Sequence, residues 1–160
     1  MTDRYRSCRT CHTDTSPEQV ASAAGEEKAL AVTVRGLTVL ACGNGHKQFI
    51  DAEFPLRLLT HLVEEDEAGL PAGEEKGVLM FKHFYCHDCG RELEPKPDHR
   101  HTFTLKPGLP DQPGLEVDLT MAVYHCTGCG KEQLHSLDEL RKLTPAALAH
   151  AFQAAGIQSG

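Results

Sequence analysis

Cys8-Arg9-Thr10-Cys11, Cys86-His87-Asp88-Cys89 and Cys126-Thr127-Gly128-Cys129 are three C-x2-C pairs, and Cys42-Gly43-Asn44-Gly45-His46 sets the seventh cysteine four positions before a histidine. C-x2-C spacing lets one tight turn aim two sulfurs at a single ion. The turn wants glycine where the backbone must take a positive φ. Gly90 and Gly130 stand directly after their pairs, and Gly43 and Gly45 lie inside the Cys42–His46 turn. A structural zinc site is tetrahedral, with about 2.3 Å to sulfur and about 2.0–2.1 Å to nitrogen, so two turns make one site. Cys86, Cys89, Cys126 and Cys129 then form an all-cysteine set, and Cys8, Cys11, Cys42 and His46 a mixed set. Every cysteine is used once. His12 or a water competes with His46 for the fourth position. Otherwise His46 is a solvated turn histidine and Cys42 a small buried hydrophobe. A redox couple would need a strand–CxxC–helix context, whereas the residues around each pair read as turns.

The chain also repeats itself. Val32, Val34, a turn at Gly36, then Leu37, Val39 and Ala41 read as a β-hairpin with one buried face. Phe103, Leu105, a loop over Pro107–Gly114, then Leu115, Val117, Leu119, Met121 and Val123 read the same way. After the second turn of each set, His46-Lys47-Gln48-Phe49-Ile50-Asp51 parallels Gly130-Lys131-Glu132-Gln133-Leu134-His135. Helical spacing follows in both halves. Phe54, Leu58, Leu59, Leu62 and Val63 recur behind Pro55, and Leu137, Leu140 and Leu143 recur behind a capping box of Ser136 and Glu139. A final helix is expected from Thr144-Pro145 to Gly156, and a short one over Ser16–Gly25, with Ser16 as cap and Gln19 completing the box. The expected architecture is α+β: two zinc-ribbon hairpin modules in tandem, each followed by helix. The boundaries are 1–63 for the first ribbon with its helix, 64–77 for a linker, 78–135 for the second ribbon and 136–160 for C-terminal helices. Each half buries little apolar surface alone, so the two ions are structural and organise the fold.

Charge refines this picture. The chain has 160 residues and a formal net charge of −7. Residues 64–77 hold one basic and six acidic side chains among Gly and Pro, a solvated linker or an acidic surface for a basic partner. Metal-bound thiolates take the net charge near −10, the wrong sign for a phosphate backbone. Only the N-terminus is locally basic, with Arg4, Arg6 and Arg9 around Tyr5; it is either a frayed terminus or a small nucleic-acid contact. No apolar run approaches the roughly 18 residues of a membrane span, and the first residues lack the apolar core of a signal peptide. A cytoplasmic address is expected, where seven cysteines mean metal rather than disulfides.

Paired C-x2-C turns bridged by a β-hairpin look like zinc ribbons. The order of first turn, hairpin, second turn and helix is similar to the YgiT-type zinc-finger domain, the metal-binding half of certain bacterial antitoxins. The resemblance covers each half once. It implies the metal ligands only: Cys42–His46 replaces the expected C-x2-C in the first copy, and residues 136–160 are too short for the family's DNA-binding helix-turn-helix.

Both ligand sets are closed, and H-E-x-x-H, G-x-S-x-G and P-loop patterns are absent, so no enzyme is expected. His99 and His101 share one face of a strand, and His83, His87, His125 and His135 lie near the all-cysteine set; they form polar surface or a further metal site. The leading expectation is a non-enzymatic protein-interaction or adaptor module. Its contact would come from the hairpin edges, or from Leu148 and Phe152 flanked by Ala147, Ala151 and Ala155, unless that stripe packs on the second ribbon. The alternatives are a transcriptional regulator binding nucleic acid through the first ribbon, and a thiol-based redox or zinc sensor.

Overall fold

A computed structural model describes residues 7–28, 30–64, 74–76, 83–94, 97, 99–134 and 137–158. The elements are β1 (Thr15–Glu27), β2 (Leu30–Cys42), β3 (Lys47–Phe49), α1 (Phe54–Glu64), β4 (Glu74–Lys76), β5 (His83–Tyr85), β6 (His99–Leu105), β7 (Glu116–His125), β8 (Glu132–Gln133), α2 (Leu137–Ala154) and β9 (Ile157–Gln158). The chain is thus mixed α+β, and a cysteine-bearing turn, a hairpin, a second turn, a short strand and a helix follow one another in each half.

Strand β2 organises the sheet. Its side chains Leu30, Val32, Val34, Leu37 and Val39 are all buried. Along one edge it pairs with β1 over its full length, from Thr15↔Cys42 to Glu27↔Leu30. Along the other it pairs first with β7, over Ala31–Arg35, and then with β3, over Val39–Ala41. The second strands of the two hairpins therefore join the halves in one seven-stranded sheet. β2 changes partner at Gly36, whose φ is +72° and whose added Cβ would lie 2.2 Å from the Gly114 carbonyl oxygen. The gap between β7 and β3 is bridged by a side chain. The Gln112 amide accepts from Thr38 N–H and donates to Thr38 C=O, both at 2.9 Å, standing in for a strand.

Two expectations are overturned by this pairing. Ser16–Gly25 is not a helix but most of β1. Its cap-box pattern is a local preference, and the 13-residue apolar strand beside it offers a full ladder of hydrogen bonds that outweighs it. Gly36 is accordingly not a hairpin turn: β2 runs through it, and the first hairpin is β1–β2. The second hairpin matches the expectation, with β6 and β7 paired from Leu105↔Val117 to His99↔Val123. Glu74–Lys76, placed in the linker by the sequence, pair with β5 as β4.

Helix α1 begins where expected. Asp51 precedes it, accepting Glu53 N–H at its carboxylate and Phe54 N–H at its carbonyl, both at 3.0 Å. In place of two C-terminal helices there is one, because α2 runs through Pro145. It stops at Gly156, with φ +75°, where the Gly156 N–H reaches the Gln153 carbonyl at 3.0 Å. Ala147, Leu148, Ala151 and Phe152 are buried among the sheet and α1. Helix α2 packs chiefly on β1 and β2 of the first half, not on the second half as expected. Phe152 stands edge-on to Phe49 at 4.9 Å and 6.4 Å from Phe54, both from the first half. At Gly25 the backbones of α2 and β1 approach so closely that a Cβ would lie 2.3 Å from Ala151 N.

Two candidate metal centres

Each cysteine pair sits on a turn with the same backbone bonds. Cys8 N–H reaches Thr13 C=O at 2.8 Å, Cys86 N–H reaches Arg91 C=O at 2.7 Å, and Cys126 N–H reaches Lys131 C=O at 3.0 Å. The residue after each second cysteine closes the turn with a positive φ: His12 at 61°, Gly90 at 75° and Gly130 at 77°. The fourth turn is one residue shorter, since Cys42 N–H reaches His46 C=O at 3.0 Å and Gly45 closes it at φ 85°. A turn shorter by one residue brings the histidine, with its longer side chain, to the place where Cys129 serves the other set. It also shifts the repeat by one. In the sheet Gln48 faces Leu40 as Gln133 faces Tyr124, so Gln48 corresponds to Gln133 rather than to Glu132.

The turns pair as the sequence predicts. Cys8, Cys11, Cys42 and His46 form one group and Cys86, Cys89, Cys126 and Cys129 the other, with all ligand atoms of a group within 4.8 Å of one another. In the first, Cys11 Sγ lies 3.7 Å from Cys42 Sγ, and His46 Nδ1 lies 3.4 Å from Cys42 Sγ and 3.6 Å from Cys8 Sγ. In the second, the Cys86–Cys129 and Cys89–Cys126 sulfurs are 3.6 and 3.4 Å apart. A tetrahedral zinc with ordinary bond lengths sets S···S at about 3.8 Å and S···N at about 3.5 Å. The separations are far longer than the roughly 2.05 Å of a disulfide, and all seven cysteines are free. Three thiolates with an imidazole, and four thiolates, are both zinc donor sets. His12 contributes to the turn backbone, and the ligand group contains His46 instead.

Polar groups around the sulfurs favour thiolate. The Thr13 hydroxyl, 3.0 Å from Cys11 Sγ, and then the Asn44 amide at 3.3 Å hold the Cys11 thiol down at about 5. The Cys89 backbone N–H, helped against burial by the Gln133 amide, lowers Cys86 to about 6. The Lys131 N–H pulls Cys129 down, yet partial loss of solvent on the sulfur and the neighbouring Cys86 and Cys126 sulfurs outweigh it and push Cys129 up to about 11. Crowded sulfurs cannot all lose their protons unless a cation takes the protons' place. The two centres differ in cover. Cys8 and Cys42 are buried and Cys11 half-buried, whereas Cys89 and Cys129 are exposed. The Asp88–Lys131 ion pair ties the two turns of the second centre together, and a Thr10 hydroxyl to Gln158 bond of 2.7 Å ties the first turn to β9.

The remaining candidates are scattered. Arg4 and Arg6 lie outside the described residues. Arg9 is half-buried: its N–H donates to Gln48 Oε1 at 3.0 Å, and its Nη1 is buried. His83 bonds Glu92 Oε1 at 2.6 Å, the His101 ring packs tilted against Phe103 at 4.5 Å, and His87 uses its backbone N–H on Gln133. Among the described residues no histidine beyond His46 joins a metal group, and His135 lies outside them. The sequence reading missed the polar groups around the sulfurs: Thr13, Asn44, Gln48 and Gln133. The signal for the glutamines was present as one Gln on each strand after a turn, hidden by the one-residue shift. Among the described residues no helix is long and apolar enough to cross a membrane. No protein-family model, curated protein or solved structure matches the chain.

Proposed function

We propose that this is a zinc protein whose two ions are structural, and that it acts as a non-enzymatic protein-interaction module. One observation carries the zinc reading: the four donors of each group lie within 4.8 Å of one another, with neighbouring donors 3.4–3.7 Å apart, close to the spacing of a tetrahedral zinc shell. Both shells are full with protein ligands, which leaves no position for an activated water and favours a structural role over a catalytic one. The recurrence of turn, hairpin, turn and helix supports reading both halves as ribbon-type units, like the YgiT-type domain, fused through a common sheet. The interaction reading draws on a groove of about 370 Å³ between α1 and α2, lined by Phe49, Pro55, Leu59, Pro145 and Leu148. Leu56 stands at its rim, 66% exposed.

Native mass spectrometry of the whole chain tests the zinc reading. Two zinc ions per chain are expected. One ion or none, from protein purified without chelator, refutes it. The interaction reading is tested by affinity capture with the wild-type chain and with Leu56→Glu. A partner held by the first and lost by the second is expected; identical capture by both refutes the groove.

A further inference from the structure

Both metal centres keep one buried glutamine behind the sulfurs. Gln48 is 2% exposed and Gln133 is fully buried, and each lies on the short strand that follows the second turn of its centre. Each makes the same bond. Gln48 Oε1 accepts the Arg9 N–H at 3.0 Å and Gln133 Oε1 accepts the His87 N–H at 2.8 Å, in both cases the residue directly after the first cysteine. In the second centre the other end of the amide continues to the metal ligand: Gln133 Nε2 donates to Cys86 Sγ at 3.2 Å. In the first centre Gln48 Nε2 is buried and has no acceptor among the described residues. A buried N–H without an acceptor costs free energy, and evolution rarely leaves one unused.

We propose that Gln48 and Gln133 are positioning residues for the two metal centres. Each amide holds the first turn in place through its carbonyl oxygen and gives its N–H to the buried thiolate of that turn, Cys8 or Cys86. The proposal rests on the zinc reading and says what sets metal retention at those sites. It also gives the orphan Gln48 N–H a partner: by its likeness to Gln133 on Cys86, the Cys8 sulfur is the acceptor it would take in the metal-bound centre. The chemistry is that of an outer hydrogen bond to a metal ligand. An N–H···S bond spreads the excess negative charge of a thiolate shell, lowers the sulfur's affinity for a proton more than for the metal, and fixes the sulfur's direction. Glutamine suits both tasks because one planar amide carries an acceptor and a donor. Leucine has similar volume and neither group, while glutamate keeps an acceptor and replaces the donor by an anion.

The test uses the full chain loaded with cadmium-113, read by its NMR resonances, and zinc-loaded protein challenged with a chelator of known affinity. The wild-type chain is expected to show two resonances, one for each donor set. Gln133→Leu is expected to shift the all-sulfur resonance alone and to weaken zinc retention there about 10- to 100-fold. Gln133→Glu can still accept from His87 N–H, so a purely structural clamp would leave retention and resonance unchanged. The proposal expects it to lose metal at least as readily as Gln133→Leu. Gln48→Leu should do the same to the mixed-set resonance. If both variants of Gln133 keep wild-type retention and an unshifted resonance, the proposal is overturned. If the wild-type chain shows no cadmium resonance in the thiolate range, the zinc reading itself falls, a separate outcome.

Discussion

Replacing Gly25 by alanine tests how α2 is seated on the sheet. The added methyl would lie 2.3 Å from Ala151 N, 2.5 Å from Ala147 O and 2.8 Å from the His150 carbonyl carbon. All three are backbone atoms of a helix, which cannot rotate aside as a side chain can. Restoring an ordinary contact of about 3.4 Å or more requires α2 to move by about 1 Å, and a gap of that size forfeits a quarter to a half of each lost packing contact. Ala147 and Ala151 are 0% exposed and Leu148 and Phe152 3% and 6%, so the displacement is felt through the whole core. Overpacking costs about 1–3 kcal/mol, and a clash with unyielding backbone belongs at the upper end, about 3 kcal/mol. The usual gain of a Gly→Ala change at an unstrained φ, about 0.4–1 kcal/mol, offsets little of this. For a chain of this length the thermal midpoint should fall by roughly 6–12 °C. The assay is thermal or urea unfolding in a fixed excess of zinc, so that metal binding contributes equally to both proteins. Gly114→Ala is the control, since its methyl would meet only the Gly36 carbonyl oxygen at 4.0 Å, and it should change the midpoint little. A Gly25→Ala midpoint within about 2 °C of wild type would refute the close approach of α2 and β1.

Two further outcomes are expected. Gln112→Leu removes both bonds to Thr38 and strands two backbone groups where β2 lacks a neighbour; it should cost about 1–3 kcal/mol in urea unfolding, and a wild-type midpoint would show that water replaces the amide. Chelation should melt the second centre before the sheet, because among the described residues its buried cluster is Cys86, Leu93 and Cys126 with Phe84 and Tyr124 against them, whereas the sheet and both helices share the main core. Hydrogen exchange should then show backbone amides of residues 83–94 losing protection while those of β2 keep it; equal protection with and without chelator would refute this ordering.

The cysteine spacing by itself marked the turns that carry the candidate donors, because a C-x2-C turn is a local device whose two sulfurs converge whatever surrounds them. Alternation in β7 and the 3.6-residue period of α1 were likewise legible, since each records which side of one element is buried. What failed were the elements whose state is settled elsewhere. Ser16–Gly25 carries the marks of a helix start, yet it lies as a strand because β2 offers it a complete ladder. Gly36 looks like a turn, yet it is the place where one strand exchanges partners. Pro145 suggests a helix start, yet α2 continues through it because its buried face holds both sides together on one core. The pairing of β2 with β7, which turns two halves into one sheet, has no local mark either: each strand is only apolar, and which apolar edge it joins depends on the shapes of both hairpins. Local chemistry thus determined which residues would hold metal, and the tertiary structure decided how the turns are braced, with Gln48 and Gln133 reaching their partners only because short strands carry them back across the sheet.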